Sequence, residues 1–262
     1  MCNMKEESLE RGLKELWFMF YATCFMGWTQ LLKGIEFFRC VENFWFFYTF
    51  QQKDIAGKKI MDVGPWKSPL PVYLSAYHLC DVTVVDISGG IKQQMYYAAM
   101  SKTTIKSCEI PKMSADSLVG FDGIPSNEFD IVTCISTLEH FEGDLDVGVV
   151  NEMHRVLKPN GYLFITVPYG QLFHESVHYI WTEKRHSTAS ISKLFRDKFY
   201  LDEQYYFKDK NTLKFTNKYW SLPRVVRLAL GRSWIFFAEY YIRRDKAAID
   251  NASLTGLVMR KK

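Results

Sequence analysis

The sequence predicts an α/β protein built on a doubly wound, mostly parallel β-sheet. Three observations lead to this prediction: short β-branched runs alternate with helical segments, polar residues follow the ends of those runs, and the composition is that of a globular chain. The 262 residues are 48% hydrophobic and 24% charged, a balance that excludes disorder as the main state. A folded chain of this length buries roughly 70–75% of the surface that its unfolded form exposes, so it needs no disulfide or metal to be stable.

The alternation of elements sets the predicted order of the sheet. Five runs are predicted to be strands, at 58–64, 81–88, 105–110, 129–136 and 161–168. Helical segments separate several of them, around 70–80, 90–101 and 145–157. Strands joined by helices of this length form a parallel sheet with helices on both faces. Ligands of such sheets bind beyond the carboxyl ends of the strands, where the strand order reverses.

Polar residues gather at these strand ends. The first strand ends in Asp62-Val63-Gly64, and Gly64 lets the backbone approach a ligand closely. Asp86 ends the second strand, about 20 residues on, where a carboxylate can accept both hydroxyls of a ribose. Asp116 follows the third strand and can accept a hydrogen bond from an exocyclic amine. The fourth strand is closed by Ser136, Glu139 and His140. Each acid alone is also explained as a turn or helix cap, whereas the set in this order favours a nucleoside site.

The N-terminal region is rich in aromatic residues. Residues 16–32 form a run of 17 without a charge, at the lower limit of membrane-spanning length. In residues 35–50, aromatic and apolar residues recur at helical spacing. We interpret residues 5–50 as two helices. They pack on the domain core or on a partner subunit, lie in a membrane interface, or span a membrane.

Charge and cysteine usage indicate partners and compartment. Residues 205–262 contain 13 basic and 4 acidic groups. Such a region suits anionic lipid, a phosphate-bearing substrate or nucleic acid, although no nucleic-acid recognition motif is present; a solvated basic face explains it equally well. The six cysteines include no CxxC pair. We therefore expect a reducing, cytoplasmic location, with the chain peripheral to the membrane if its aromatic or basic surface binds lipid.

Several segments together resemble the class I S-adenosylmethionine-dependent methyltransferases, especially the small-molecule "type 11" kind. They are IMDVG, VTVVDIS, SADSL, FDIVTCISTLEHF and EMHRVLKPNGYLFITVP. The resemblance covers roughly residues 58–204, and SLTGLVMRKK is similar to the family's last, antiparallel strand. It implies a Rossmann-like sheet of seven strands, with a helix at 181–195 and a sixth strand at 201–207. The chain then divides into an aromatic helical extension, 1–53, and a methyltransferase domain, 54–262, with an insertion at about 212–250.

Two segments depart from the family's pattern. Asn160 replaces the first glycine of the "vLKPGG" turn, and asparagine tolerates the left-handed conformation required there. The first loop, D-x-G-x-G-x-G in the family, keeps only Gly64 of its three glycines, and Trp66 and Ser68 take the places of the others. Related sequences with a tryptophan and a serine-proline pair in this loop are linked to polysaccharide biosynthesis, which implies a sugar or lipid-linked glycan as acceptor.

The resemblance also implies roles for individual residues. It assigns one set to the cofactor, S-adenosylmethionine: Asp62, Gly64, Trp66, Asp86, Ile87, Ala115, Asp116, Ser117, Ser136 and Glu139. Within this set Asp86 holds the ribose hydroxyls, Ile87 packs against the adenine and Asp116 meets the adenine amine. A non-catalytic module of the same fold, binding a partner through its aromatic and basic surfaces, is the alternative function. A dehydrogenase would need a G-x-G-x-x-G loop, which this chain lacks.

Catalysis by such a domain consists mainly of alignment, which supplies up to roughly 7–11 kcal/mol. A hydroxyl acceptor also needs a base, worth about 10²–10⁴-fold. The candidates are His140, Tyr169, His174 and His178. On a helix the last two histidines would share a face and permit a metal, but no third ligand is nearby, so we assign no metal. We expect a small-molecule or glycan acceptor as partner, with an anionic membrane surface and a second copy of the chain as further candidates.

Overall fold

A computed structural model describes most of the chain. The described residues are 37–50, 55–110, 120–170, 173–177, 182–208, 242–243 and 252–262, with Gly12, Lys14, Glu15, Phe18, Met19 and Val226. The chain divides into two compact units. One comprises Met1–Ile55 and Tyr205–Ser253, and the other comprises Ala56–Gln204 and Leu254–Lys262.

Most of the predicted sheet is built from residues of the second unit. The strands along the chain are β1 (Lys59–Val63), β2 (Asp81–Asp86), β3 (Lys106–Glu109), β4 (Phe129–Ile135), β5 (Leu157–Pro168), β6 (His174–Val177), β7 (Thr182–Arg185), β8 (Phe199–Lys208), β9 (Ile242–Arg243) and β10 (Ala252–Lys261). One sheet has eight strands in the order β3-β2-β1-β4-β5-β10-β8-β9. The first five are parallel, and β10 runs antiparallel to β5. The two-residue β9 belongs to the first unit and pairs antiparallel with the end of β8. The predicted fold class, a doubly wound and mostly parallel sheet, is confirmed, and the short β9 is added to the predicted seven strands.

Local sequence explains where the elements begin and end. The helices are α1 (Phe37–Phe50), α2 (Leu70–His78), α3 (Ser88–Met100), α4 (Leu145–Val156) and α5 (Thr188–Phe195), with a 3-10 turn at Leu138–His140. Pro71 lies in the first turn of α2, where its missing N–H costs no hydrogen bond, and Leu79 ends the helix in the left-handed conformation. A continuous run of β-branched residues makes β2 a strand that is buried on both faces.

The predicted helix at 181–195 is wrong in its first part. Thr182–Arg185 forms strand β7, which pairs antiparallel with β6 in a separate two-stranded sheet. The helix begins only at Thr188, because the Ser187 hydroxyl accepts the N–H of Ser190 and the Ser190 hydroxyl accepts the N–H of Ser187. This reciprocal cap ends the extended segment and starts the helix.

The irregular turn near the start of β5 has a left-handed residue, as expected from Asn160. Its φ is +61°, and the pairing of β4 with β5 shifts register here. The Lys158 ammonium lies 2.7 Å from the Asp130 carboxylate at the start of β4. The turn is therefore fixed by one left-handed residue and one ion pair.

The first unit, by itself, has an aromatic core. Helix α1, which confirms the predicted helical periodicity within 35–50, buries Phe44, Trp45, Phe47 and Phe50. The Trp45 indole meets the rings of Tyr205 and Phe207 edge-on, with centroids 6.3 and 6.1 Å apart. Most of the apolar run 16–32 and of the insertion at 212–250 lies outside the described residues. No helix among the described residues has both the length and the apolar character needed to cross a membrane.

Replacing Gly161 by Ala should destabilise the second unit by about 1–3 kcal/mol, because a new Cβ has no room. It would lie 2.9 Å from the Lys158 carbonyl oxygen and 3.1 Å from that of Asp130, both of them backbone atoms. Urea unfolding measures the loss. Gly123→Ala is the comparison variant, because a Cβ there meets nothing within 4 Å and only the strain of a left-handed backbone, φ +76°, destabilises it. The loss at Gly161 comes instead from steric contacts. A Gly161→Ala protein as stable as the wild type would contradict the packing of this turn.

Candidate functional site

The carboxyl ends of β1 and β4 are joined at Gly64. Its N–H donates to the Val85 carbonyl at 2.7 Å, and its own carbonyl accepts the Thr137 hydroxyl at 3.0 Å. The φ of Gly64 is +68°, and a Cβ there would lie 2.1 Å from the Thr137 methyl group. Only glycine therefore lets this backbone turn away from β1 while it stays against the end of β4.

The Asp86 carboxylate joins the next strand end to the first loop. Oδ2 accepts the N–H of Trp66 and Oδ1 accepts the N–H of Ile87, both at 2.7 Å. The side chain is buried, and burial raises the pKa of this carboxyl while the two N–H donors lower it. Each oxygen binds one backbone donor and keeps further acceptor capacity. The site fits a ligand with two neighbouring hydroxyls, such as a ribose.

Trp66 lies in the first loop with a backbone conformation that is rare for a bulky residue. Its φ is +46°, in the left-handed region, and its indole is 44% exposed. A residue with a Cβ pays about 1–2 kcal/mol for this conformation. The loop therefore takes a left-handed backbone conformation at a position where the family resemblance expects glycine.

Two buried carboxylates flank the ends of β1 and β4. Asp62, on β1, accepts the Thr133 hydroxyl at 2.7 Å, and Glu139 lies in the 3-10 turn after β4. Between them the buried Cys134 thiol is held neutral, because burial first, and then the charges of Glu139 and Asp62, raise its pKa. This wall of the site is therefore negative and favours a cationic group on the ligand.

Ser136 and His140 complete the end of β4. The Ser136 N–H is shared by the carbonyl and hydroxyl oxygens of Thr166, at 3.2 and 2.9 Å, and its φ is +45°. The His140 ring is half-exposed, with Nε2 4.0 Å from the Glu139 carboxylate. The fold therefore brings together most of the residues predicted for the site, namely Asp62, Gly64, Trp66, Asp86, Ile87, Ser136, Glu139 and His140.

The remaining predicted residues are placed differently. Ala115, Asp116, Ser117 and His178 lie outside the described residues. The Tyr169 side chain is buried, and its hydroxyl lies 2.7 Å from that of Thr188. The shared helix face considered for His174 and His178 is wrong, because His174–Val177 is strand β6 and not a helix. In the part of the chain that the structure describes, no three His, Cys, Asp or Glu side chains form a cluster suited to a metal.

A buried polar group beside β5 was not predicted from the sequence. The Lys184 ammonium lies 2.9 Å from the Asp146 carboxylate and also donates to the Gly143 carbonyl, and Lys184 and Asp146 are both buried. His186, on the same segment, pairs its backbone with Pro168 and Gly170. The sequence gives no sign of this group, because its members are far apart in the chain and their segment was predicted to be a helix.

His186 is an uncharged buried histidine. Its ring is 1% exposed and lies 5.8 Å from the ring of Phe173, with Nδ1 3.4 Å from the Ser190 hydroxyl. Burial lowers its pKa to about 4, against a smaller opposing effect of Asp146, and Lys184 lowers it further. The imidazole is therefore neutral at physiological pH.

The strand order and the polar strand ends are those of a Rossmann-like methyltransferase fold. Residues 61–165, from β1 to β5, match the model of the methyltransferase-domain family. A ubiquinone biosynthesis O-methyltransferase of Pseudomonas syringae pv. tomato is 29% identical over 116 residues, which are 44% of this chain and 47% of that protein. The chain thus spans about half the length of this curated relative.

Solved structures show the same fold at low sequence identity. The 1,6-didemethyltoxoflavin-N1-methyltransferase of Burkholderia thailandensis, solved with 1,6-didemethyltoxoflavin and S-adenosylhomocysteine, aligns with a TM-score of 0.53. It is 12% identical, and the match covers 86% of this chain and 78% of that one. An S-adenosylmethionine-dependent methyltransferase from Mesorhizobium loti aligns with a TM-score of 0.51 at 12% identity. The match covers 81% of this chain and 94% of that one.

The neutral state of His186 predicts a pH-dependent contribution to stability. Its folded pKa of about 4 lies below the ordinary 6.5, so the unfolded chain takes up the proton first as the pH falls. The contribution is complete above pH 6.5 and is lost towards pH 4, a difference of roughly 3 kcal/mol. Urea unfolding measures the free energy of unfolding of wild type and His186→Gln between pH 7.5 and 4.5. The difference between the two proteins should become smaller as the pH falls. His140→Gln is the control for removing a half-exposed histidine; a constant difference for His186→Gln would contradict the assignment.

Proposed function

We propose that this chain is an S-adenosylmethionine-dependent methyltransferase that methylates a small-molecule acceptor. The observation that carries the proposal is the Asp86 carboxylate, held at the end of β2 beside the Gly64 turn, in a domain that matches the methyltransferase family. The negative wall formed by Asp62 and Glu139 supports it further, since it suits a cofactor with a cationic sulfonium and ammonium group.

The residues of the site have separate tasks in binding the cofactor. Asp86 accepts the ribose hydroxyls, and Ile87 lies against the adenine. Gly64 and Trp66 provide the backbone of the loop that encloses the amino acid portion, with Asp62 and Glu139 nearby. Ser136 orients the end of β4 towards β5. Ala115, Asp116 and Ser117 keep the adenine-binding role that the family resemblance implies.

The bound cofactor supplies an electrophilic methyl group, and the protein supplies alignment and removal of a proton. Rigid strand ends suit alignment, because they hold the reacting groups without further loss of freedom. The acceptor side is assigned to the segment after β5, with Tyr169, His174 and His178, and to His140 after β4. Tyr169 acts through position, since its hydroxyl is already hydrogen-bonded to Thr188.

For the acceptor we propose a hydroxyl of a sugar or a lipid-linked glycan. Support comes from the tryptophan and serine-proline of the first loop and from the curated relative, whose name is that of an O-methyltransferase. The basic C-terminal region suits an anionic, phosphate-bearing acceptor or membrane surface. A cytoplasmic protein peripheral to the membrane, alone or as a homodimer, is consistent with these features.

Replacing Asp86 by Ala should weaken S-adenosylhomocysteine binding at least about tenfold, because charge-assisted hydrogen bonds to the ribose are lost. Isothermal titration calorimetry measures the affinity. Asp122→Ala, at an exposed aspartate outside the site, is the matched control and should bind as wild type does. Unchanged affinity in Asp86→Ala would contradict the assigned ribose site. Failure of the wild type itself to bind would favour the non-catalytic module.

If a histidine removes the acceptor proton, its replacement by Ala should lower kcat about 10²-fold or more while cofactor affinity is unchanged. His140→Ala, His174→Ala and His178→Ala are compared for turnover and for S-adenosylhomocysteine affinity. If alignment alone suffices, each change costs less than about tenfold, mainly in KM for the acceptor. Loss of cofactor binding in His174→Ala or His178→Ala would contradict the acceptor-side assignment.

A further inference from the structure

The first loop raises the question of what stabilises Trp66 in a backbone conformation that suits glycine. The family pattern has a glycine here, which adopts a positive φ freely, whereas Trp66 takes φ +46° with a full side chain. A strained residue persists only where its surroundings fix it. The contacts on both sides of Trp66 should therefore show what fixes it.

Buried side chains hold the loop at three backbone atoms. The N–H of Trp66 donates to Asp86 Oδ2 at 2.7 Å. The amide nitrogen of Gln94, on α3, donates to the Trp66 carbonyl at 3.0 Å and to the Ser68 carbonyl at 2.8 Å. Gln94 is fully buried, and two carbonyl acceptors on one amide nitrogen fix the orientation of its side chain. Gln94 thus joins the two loop residues that replace the lost glycines.

The start of α3 provides the space that this arrangement needs. A Cβ on residue 89 would lie 3.0 Å from two atoms of the Trp66 indole. A Cβ on residue 90 would lie 2.2 Å from the Asp86 carboxylate. Gly89 and Gly90 therefore leave room for the indole and for the carboxylate. The loop lacks two glycines of the family pattern, and two glycines at the start of α3 provide the space that its side chains need.

We propose that Gln94 is a positioning residue for cofactor binding: by holding the Trp66 and Ser68 carbonyls, it keeps the loop in the conformation that three glycines give elsewhere in the family. The inference rests on the proposed function, because the loop lies beside Asp86 at the assigned cofactor site. The role of Gln94 in the loop does not depend on the cofactor, because without Gln94 the carbonyls of Trp66 and Ser68 lose their donor. The effects of substitutions at Trp66 and Gln94 on S-adenosylhomocysteine affinity should therefore depend on each other.

The coupling is measured with a double-mutant cycle. Gln94→Met keeps the length of the side chain and removes both donors; it should weaken S-adenosylhomocysteine binding about tenfold or more. In the Trp66→Gly background the same change should cost no more than about threefold, because glycine adopts the left-handed conformation freely. Gln93→Met, one residue earlier on α3 and half-buried, is the matched control and should leave affinity unchanged. Equal losses in both backgrounds, or no loss in either, would overturn the proposal.

A second variant tests the same coupling without touching the buried amide. Gly89→Ala fits the backbone of a helix but places a methyl group against the indole. It should weaken S-adenosylhomocysteine binding severalfold when Trp66 is present and leave it unchanged in Trp66→Gly. An effect that persists after the indole is removed would show that the helix start acts independently of Trp66, contrary to the proposal.

Hydrogen exchange of the cofactor-free protein separates this inference from the proposed function. The amides of Trp66, Lys67 and Ser68 should exchange faster in Gln94→Met than in wild type or Gln93→Met, because the loop is no longer held. Unchanged exchange there would contradict the inference whether or not the protein binds S-adenosylhomocysteine. Faster exchange in a protein that fails to bind it would contradict the proposed function and support the role of Gln94 in the loop.

Discussion

The candidate site depends on one carboxylate, Asp86, that joins three elements. It ends strand β2, accepts the N–H of Ile87 at the start of α3, and accepts the N–H of Trp66 in the first loop. A buried carboxylate without donors would be costly, and a strained loop without an acceptor would relax to another conformation. Each feature therefore stabilises the other. The ribose-binding geometry assigned to Asp86 is inseparable from the loop that it holds.

Buried ionisable groups divide the site into two electrostatic environments. Around β1 and β4, burial and then the charges of Glu139 and Asp62 raise the pKa of the Cys134 thiol, and the two carboxylates make the wall negative. Beside β5 the charges are paired, since Lys184 meets Asp146, and burial keeps His186 neutral. A negative wall suits a cationic cofactor.

The sequence predicted regular elements better than irregular ones. Strands β2 and β4 were predicted correctly because β-branched runs are local signals. The turn at Asn160 was predicted correctly because asparagine tolerates a positive φ. The segment 181–195 was misassigned, because the pairing of Thr182–Arg185 with β6 is a contact between segments. For the same reason the buried Lys184–Asp146 pair and the neutral His186 had no signal in the sequence.

The sequence by itself determined the parallel sheet, its strand ends and the acids that terminate them, since continuous β-branched runs and the residues that end them are local properties of the chain. Only the tertiary structure decided how a loop with one glycine keeps its shape. That answer lies in Asp86, in Gln94 and in the glycines at 89 and 90, which are up to 28 residues from the loop. The local sequence determines that Trp66 is strained in this backbone conformation. The hydrogen bonds that offset the strain come from Asp86 and Gln94, which only folding brings to the loop.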